Sequence, residues 1–204
     1  MKKPTHSPTS SRGGFTLVEL LVVIAIIVSL MGILIPVVGA AQRKAANLKA
    51  KQGATSLVTA VESFFSDYSR LPANNQSAPS SDLIVESTEP IMSVLAGINI
   101  DQLNRKEIAY FSGLEAKGSS RNTAYNGLWR NNNSAELYDP WRKKTNRGYF
   151  MLLDYNYDNR LDDPFRPGRQ IGAKVVAWSS GKDAKWARSN PKRGENKDNV
   201  YSWF

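Results

Sequence analysis

Residues 15–41 read FTLVELLVVIAIIVSLMGILIPVVGAA, and this stretch decides how the chain is organised. No charged residue lies between Leu20 and Ala41. A helix of that length rises about 33 Å, at about 1.5 Å per residue, which matches a hydrocarbon core about 30 Å thick. Three helix-weakening residues lie within it: Gly32, Pro36 and Gly39. Membrane helices tolerate such residues because neighbouring segments satisfy the freed carbonyl groups, so we predict a membrane-spanning helix.

Other interpretations of the apolar stretch stay open. A cleaved secretory signal has an apolar region of about 7–15 residues. The stretch here is longer, although residues 38–41 (VGAA) fit a small-residue cleavage site. An ordinary membrane anchor is a second interpretation. A buried core helix is a third, and a run this apolar at the start of a basic chain argues against it.

The composition excludes several functional classes. The chain has 204 residues, with 27 Lys and Arg against 18 Asp and Glu, no cysteine and one histidine, His6. Disulfides, thiolate nucleophiles and cysteine-bound zinc are therefore excluded, and His-based triads are disfavoured. Asp162 and Asp163 are adjacent, so in a strand they would face opposite ways. We predict no enzymatic activity. We also expect no nucleic-acid binding, because the net charge of +9 comes without a nucleic-acid-binding motif.

Glu19 stands at the edge of the apolar stretch and needs an explanation. A carboxylate near hydrocarbon is costly and is expected to have a partner. Arg12 lies upstream and is one candidate. If the chain is cut after Gly14, the new amine of Phe15 is a cation. The amine of a neighbouring chain is then a better candidate.

Residues 13–27, GGFTLVELLVVIAII, resemble the cleavage and methylation motif of prepilins, which type IV pilins and type II secretion pseudopilins share. The resemblance implies that a membrane aspartyl prepilin peptidase cleaves between Gly14 and Phe15 on the cytoplasmic face and N-methylates Phe15. It also implies that Glu19 serves assembly. The orientation with the N-terminus in the cytoplasm rests on this resemblance, because the Lys and Arg residues flanking the helix do not decide it.

Beyond the apolar stretch the pattern becomes periodic. Six residues recur along one helix face: Leu57, Val58, Val61, Phe64, Phe65 and Tyr68. We predict that the helix continues as an amphipathic segment and ends at Leu71-Pro72, because proline disfavours helix in the preceding residue. The Lys and Arg residues at positions 43, 44, 49 and 51 are expected in solvent or near lipid headgroups. Acidic groups of adjacent subunits are their alternative partners.

The predicted organisation has four segments. They are a leader peptide at 1–14, a transmembrane and assembly helix at 15–42, its amphipathic continuation at 43–71, and a globular α+β domain at 72–204. The predicted fold is α+β and pilin-like, with the long N-terminal helix packed on a small antiparallel sheet.

Within the globular domain the local patterns are weaker. We expect irregular or extended chain at three places: a loop at 73–82, an extended segment at 108–111 and a surface loop at 115–135. A short helix is predicted within 90–111 and ends at Gly97. Strands are predicted at 149–153, in a run that starts at Asp139, and at 171–178.

The C-terminal region resembles the calcium loop of the major pseudopilins of type II secretion. Residues 178–183 (WSSGKD) and 198–203 (DNVYSW) carry the resemblance. It implies Asp183 and Asp198 as carboxylate ligands of calcium and the Ser180 carbonyl as a weaker one. Two positions depart from the family pattern: Ala184 replaces glycine and Asn199 replaces a frequent aspartate. The alternative is a surface loop held in place by Trp203.

A second acidic segment has the alternating oxygen ligands of a calcium loop. Asp154, Asn156 and Asp158 stand at every second position. An EF-hand needs glycine at the sixth position and glutamate at the twelfth, where this chain has Asn159 and Phe165. Asn159 can adopt the left-handed conformation that the sixth position needs, but the bidentate ligand is missing. The alternative is a polar hairpin turn between strands.

The sequence therefore predicts a structural subunit of a type II secretion pseudopilus. Asp139-Pro140-Trp141 followed by Tyr149 also resembles the opening of the sheet in its major pseudopilin. A type IV pilus pilin or minor pilin is the alternative within the class. A membrane-anchored periplasmic binding module that never polymerises is the alternative from another class.

The expected partners follow from the pseudopilin interpretation. They are other copies of the chain through the N-terminal helix, prepilin peptidase, other pseudopilins, an inner-membrane assembly platform and membrane lipid. The chain is expected as a single-pass inner-membrane protein with its C-terminal domain in the periplasm, where it assembles into a filament.

Overall fold

The computed structural model describes residues 14–72, 81–88, 90–141 and 148–204. The chain divides into two compact units, Met1–Arg43 and Lys44–Phe204. Helix α1 spans Leu17–Tyr68, has 52 residues and contains Pro36. It ends close to the predicted Leu71-Pro72 boundary, where Ser69 turns to a positive φ of 52°. Most of the loop predicted at 73–82 lies outside the described residues.

The N-terminal unit exposes its apolar side chains on every side. Among the described residues, α1 is the one helix long and apolar enough to cross a membrane, and its most apolar window has no buried residue. Leu17, Val28 and Ile35 are examples, with 69–80% of each side chain's surface exposed in the single chain. This helix fits a single-pass membrane anchor.

The globular unit contains one main sheet and two short ribbons. In chain order its elements are β1 Leu83–Glu86, α2 Ile91–Leu95, β2 Gly127–Arg130, β3 Ala135–Tyr138, β4 Tyr149–Leu153, β5 Leu161–Asp162, β6 Gln170–Ile171, β7 Val175–Ser179, a 3-10 turn Gly194–Asn196 and β8 Val200–Tyr201. The four-stranded sheet has the order β1-β4-β7-β8, and each neighbouring pair is antiparallel. The ribbons are β2-β3 and β5-β6.

Each face of the main sheet packs against its own hydrophobic core. Side chains alternate between the faces of a strand, so Met151 and Leu153 of β4 join the core that contains α1, and Leu152 joins the opposite one. The amphipathic face of α1 contributes Leu57 and Phe64, both fully buried. The predicted α+β architecture, a long helix on a small antiparallel sheet, is confirmed.

Gly53 allows this close contact between helix and sheet. A Cβ at that position would lie 2.2 Å from the hydroxyl oxygen of Tyr149 and 2.6 Å from its Cζ. Tyr149 is buried, with 3% of its surface exposed, so its ring cannot swing away freely. The glycine is therefore a packing residue in the helix interior.

The β2-β3 ribbon corrects the surface loop predicted at 115–135. Trp129 lies in β2 and pairs with Glu136 of β3. The Asn131 side chain closes the turn by accepting hydrogen bonds from the amides of Asn133 and Ser134, at 2.8 and 2.7 Å. Composition concealed this hairpin, because its two strands have only four residues each and flank a polar turn. Glu136 is buried and pairs with Arg121 and with the Tyr138 hydroxyl.

Three further predictions of local structure differ in detail from the structure. The extended segment at 108–111 forms no strand. The strand predicted at 171–178 is two strands, because β6 ends at Ile171 and β7 begins at Val175. Asp139 belongs to a turn after β3: its carboxylate accepts hydrogen bonds from the Trp141 amide and the Ser179 hydroxyl. The predicted helix around 91–95 is confirmed, and Gly97 follows it with φ of 85°.

Candidate functional site

The predicted cleavage position lies just before the helix. Gly14 and Phe15 precede α1 and have no regular secondary structure. Among the described residues, and apart from its chain neighbours, no atom lies within 4 Å of the position that a Gly14 Cβ would occupy, and Phe15 is 82% exposed. The described part of the chain therefore leaves the peptide bond between them uncovered.

Thr16 and Glu19 form a reciprocal cap at the start of α1. The Glu19 Oε2 atom accepts hydrogen bonds from the Thr16 amide and the Thr16 hydroxyl, both at 2.8 Å. The Glu19 amide donates to the Thr16 Oγ1 atom at 3.2 Å. This is a capping box, in which the two side chains satisfy amides that the first helical turn leaves unpaired.

The cap gives Glu19 a partner within its own chain. The partners predicted from the sequence are different: Arg12, which lies outside the described residues, and the amine of a neighbouring chain. The signal was present in the sequence as Thr-x-x-Glu before an apolar run. Within a single chain the Glu19 carboxylate already accepts two hydrogen bonds.

The C-terminal loop places Asp183 beside Asp198, and it places Gly181, which follows Ser180, against Asp198. The Asp183 amide donates to Asp198 Oδ2 at 3.1 Å. Gly181 has φ of 70°, and a Cβ there would lie 2.4 Å from the Asp198 carbonyl oxygen. Only glycine therefore lets the segment after β7 lie against the segment before β8.

One carboxylate oxygen in this loop lacks a hydrogen-bond partner among the described residues. It is the buried Oδ1 atom of Asp198, whereas Oδ2 accepts a hydrogen bond from the Asp183 amide. Buried polar atoms are almost always paired, and an unpaired buried oxygen costs about 1–3 kcal/mol. This oxygen is available to a cation.

The Asn199 side chain lies among oxygen acceptors. One end of its amide is 2.9 Å from the Ser180 carbonyl oxygen and 3.1 Å from that of Lys185, and the other end is 3.0 Å from Asn196 Oδ1. An amide has one donor end and one acceptor end. With its NH2 group turned towards the two carbonyls, the amide donates to both Ser180 and Lys185. Asn199, a departure from the family pattern, therefore joins the segment after β7 to the segment before β8.

The other acidic segment uses its oxygens internally. Asp154 accepts hydrogen bonds from the Asp158 amide at 3.2 Å and the Asn159 amide at 2.8 Å. Asn156 Oδ1 accepts from the Asp158 amide and Asp158 Oδ1 from the Arg160 amide, at 3.1 and 2.8 Å. Asn159 has the predicted left-handed conformation, with φ of 59°.

The same segment is not the hairpin turn offered as the alternative. It joins β4 to β5, and β4 pairs with β1 and β7 whereas β5 pairs with β6. It is a loop stabilised by its own Asp and Asn side chains. Across the described ranges, no three His, Cys, Asp or Glu side chains are grouped with metal-binding spacing.

Asp82 lies beside this acidic segment, in a cleft of about 620 Å³ that Asp162 and Asp163 also line. Burial raises the pKa of the Asp82 carboxyl, and the negative charges of three neighbours raise it further: Asp154, Asp158 and Asp162. Within the part of the chain that the structure describes, the Oδ1 atom of Asp82 and the Oδ2 atom of Asp163 have no hydrogen-bond partner. The cleft therefore disfavours ionisation of Asp82.

Comparison with known proteins bears on the N-terminal site. A family model described as the prokaryotic N-terminal methylation motif matches residues 9–35, which include Gly14, Phe15, Thr16 and Glu19. Comparisons with curated proteins and with solved structures gave no match. The motif implies processing by a prepilin peptidase and pilus-like assembly. Residues 9–35 are therefore a type IV pilin-like prepilin signal at the head of an α+β chain.

Proposed function

We propose that the chain is a structural subunit of a type II secretion pseudopilus. The observation that carries the proposal is the methylation motif on a helix whose apolar side chains have no cover within the chain. Lipid covers such a helix in the membrane. Outside lipid the same surface needs other apolar helices, and copies of this chain supply them. Polymerisation through the N-terminal helix follows from this requirement.

The proposed processing prepares the helix for assembly. Cleavage between Gly14 and Phe15 removes the leader 1–14, and N-methylation then modifies the Phe15 amine. That amine remains a cation after methylation. Paired with the Glu19 carboxylate of a neighbouring copy, it would neutralise both charges in an apolar filament core. The prepilin peptidase, other pseudopilins and an inner-membrane assembly platform are the proposed partners.

The proposed location follows from the segment boundaries. Residues 15–42 span the inner membrane, residues 43–71 continue the helix, and residues 72–204 form the periplasmic domain that coats the filament. No step of this role requires catalysis by the chain. The motif itself indicates a structural subunit.

We further propose that the C-terminal loop binds calcium. The donor set fits a hard cation that takes oxygen ligands: the carboxylates of Asp183 and Asp198 and the Ser180 carbonyl. The buried Asp198 Oδ1, which has no hydrogen-bond partner among the described residues, supports this assignment. Bound calcium would cross-link the two chain segments in a protein without cysteine. The loop with Asp154, Asn156 and Asp158 is the weaker alternative, because backbone amides already occupy its oxygens.

The methylation motif is shared by type IV pilins and pseudopilins, so it does not distinguish them. The resemblance of the C-terminal loop to the calcium loop of major pseudopilins favours a major pseudopilin.

The assembly role is tested by expressing the chain with a prepilin peptidase and a type II assembly platform, followed by electron microscopy of sheared material. The wild-type chain is expected to form filaments. Glu19→Ala is expected to be inserted and cleaved without forming them. A cleaved wild-type chain that stays in the membrane as a monomer would support an anchored binding module instead.

A further inference from the structure

Lys51 lies on α1 and binds the segment 201–204. Its Nζ atom donates hydrogen bonds to three backbone carbonyl oxygens: Tyr201 at 2.6 Å, Ser202 at 3.3 Å and Phe204 at 2.5 Å. An ammonium group has three donors, and all three are used here. The expectation that Lys51 would lie in solvent or near lipid headgroups is therefore wrong.

The surroundings of Lys51 differ from those of the nearby Lys49. The residue is partly buried, and burial lowers its pKa. Lys49, two residues earlier on the same helix, is exposed. A charged group that is partly removed from water needs strong acceptors, and the three carbonyls provide them. The contact joins residues 150 or more positions apart in the chain.

The bound residues continue directly from the candidate cation loop. Asp198 and Asn199 immediately precede β8, and Tyr201 of β8 pairs with Trp178 of β7. The segment 198–204 is thus held by the loop at Asp198, by β7 through Tyr201 and Ser202, and by Lys51 at residues 201–204. Because β8 has only two residues, a change in the position of residues 201–204 would be felt at the adjoining Asp198 and Asn199.

We propose that Lys51 is a positioning residue for the C-terminal cation loop. By fixing residues 201–204 on α1, it holds Asp198 and Asn199 against Ser180 and Lys185. The affinity of the loop for calcium and the order of the tail both depend on it. This inference rests on the calcium site of the proposed function and adds the residue that links that site to the helix.

Coupling of this kind is reciprocal. If the Lys51 contact strengthens calcium binding, calcium must in turn strengthen the Lys51 contact. The tail amides should therefore exchange more slowly with solvent when calcium is present.

The test compares Lys51→Met with Lys49→Met in the full chain, purified in detergent. Hydrogen exchange of the amides at 202–204 and calorimetric titration with calcium chloride are measured. Lys51→Met is expected to speed exchange of the tail and to weaken calcium binding about fivefold or more. Lys49→Met is expected to match the wild type in both, because it removes a charge from the same helix without touching the tail.

Lys51→Arg serves as a second variant if Lys51→Met does not fold. Its larger, planar guanidinium cannot reproduce the three-donor geometry of an ammonium, so an intermediate loss of calcium affinity is expected. Unchanged exchange and unchanged affinity in a folded Lys51 variant would overturn the proposal. A wild-type chain that binds no calcium would overturn both the coupling and the calcium site, while the assembly role would still be decided by Glu19→Ala.

Discussion

The Glu19 carboxylate is bound by Thr16 of its own chain, through the amide and the hydroxyl, at 2.8 Å each. A lone chain therefore does not carry an unpartnered carboxylate at the edge of its apolar helix. Glu19 thus has one observed role and one proposed role. It caps the helix start within the single chain, and the proposed role in assembly needs its negative charge.

Glu19→Gln separates these two roles. Glutamine can take the same place in a capping box but carries no charge, whereas Glu19→Ala loses both the cap and the charge. We expect Glu19→Gln to be inserted and cleaved like the wild type and to form no filaments. Immunoblotting of the cleaved form and electron microscopy measure the two steps. Normal filaments from Glu19→Gln would show that pairing with a neighbour's amine is unnecessary.

Gly53→Ala is expected to destabilise the globular unit. The added Cβ would lie 2.2 Å from the Tyr149 hydroxyl oxygen, and overpacking of this kind costs about 1–3 kcal/mol. Alanine recovers about 1 kcal/mol through its better helix propensity, so the clash prevails. Circular dichroism should record a lower Tm. Gly172→Ala is the control, since nothing lies within 4 Å of its Cβ position, and equal Tm values for the two variants would contradict this packing argument.

Asp82→Asn is expected to stabilise the chain in a pH-dependent way. Burial and the neighbouring carboxylates raise the pKa of Asp82 above its ordinary value of 3.8. A carboxyl whose pKa is higher in the folded than in the unfolded state stabilises the fold at pH values below its unfolded pKa. This contribution is lost as the pH rises through the folded pKa. The Tm advantage of Asp82→Asn should therefore be absent at about pH 3–4 and present at about pH 7.

The measurement for Asp82 is thermal unfolding in a chelator across this pH range, with Glu195→Gln as an exposed control. Glu195 lies in the 3-10 turn of the C-terminal loop. A Tm difference that stays constant with pH would mean that ionisation of Asp82 does not oppose folding.

Calcium is expected to raise the Tm of the wild-type chain. A ligand that binds only the native state stabilises it by about 2.7 kcal/mol at a concentration 100 times the Kd. For a domain of this size that corresponds to about 5–10 °C. Asp198→Asn should lose most of the response, and Asp158→Asn should keep it. If Asp158→Asn loses the response and Asp198→Asn keeps it, calcium binds the loop that follows β4 instead. Identical Tm values in calcium and in chelator would contradict calcium binding at either loop.

The elements with strong periodicity were predictable from the sequence. The continuous apolar run and the stripe at Leu57 and Phe64 indicated both parts of α1, and the β-branched run at Val175 and Val176 indicated β7. The β2-β3 hairpin was not predictable in this way. Its strands have four residues each, which is too short for a clear alternating pattern, and only their pairing in the folded chain identifies them.

Those candidate site residues that lie within short sequence motifs could be predicted from the sequence. The motif around Gly14 and Glu19 and the pair Asp183 and Asp198 could be read from short stretches. The contacts of Lys51 and Asn199 could not. The Lys51 contact joins α1 to residues far along the chain, and Asn199 lies against the carbonyl oxygens of Ser180 and Lys185.

The central claim is that the chain is a prepilin cut between Gly14 and Phe15. Mass spectrometry of the protein from cells that contain a prepilin peptidase tests it most directly. We predict an N-terminal peptide that begins at Phe15 and carries a methyl group on its amine, together with the uncut form when the peptidase is absent. A chain that keeps residues 1–14 and an unmethylated terminus in the presence of an active peptidase would contradict the account.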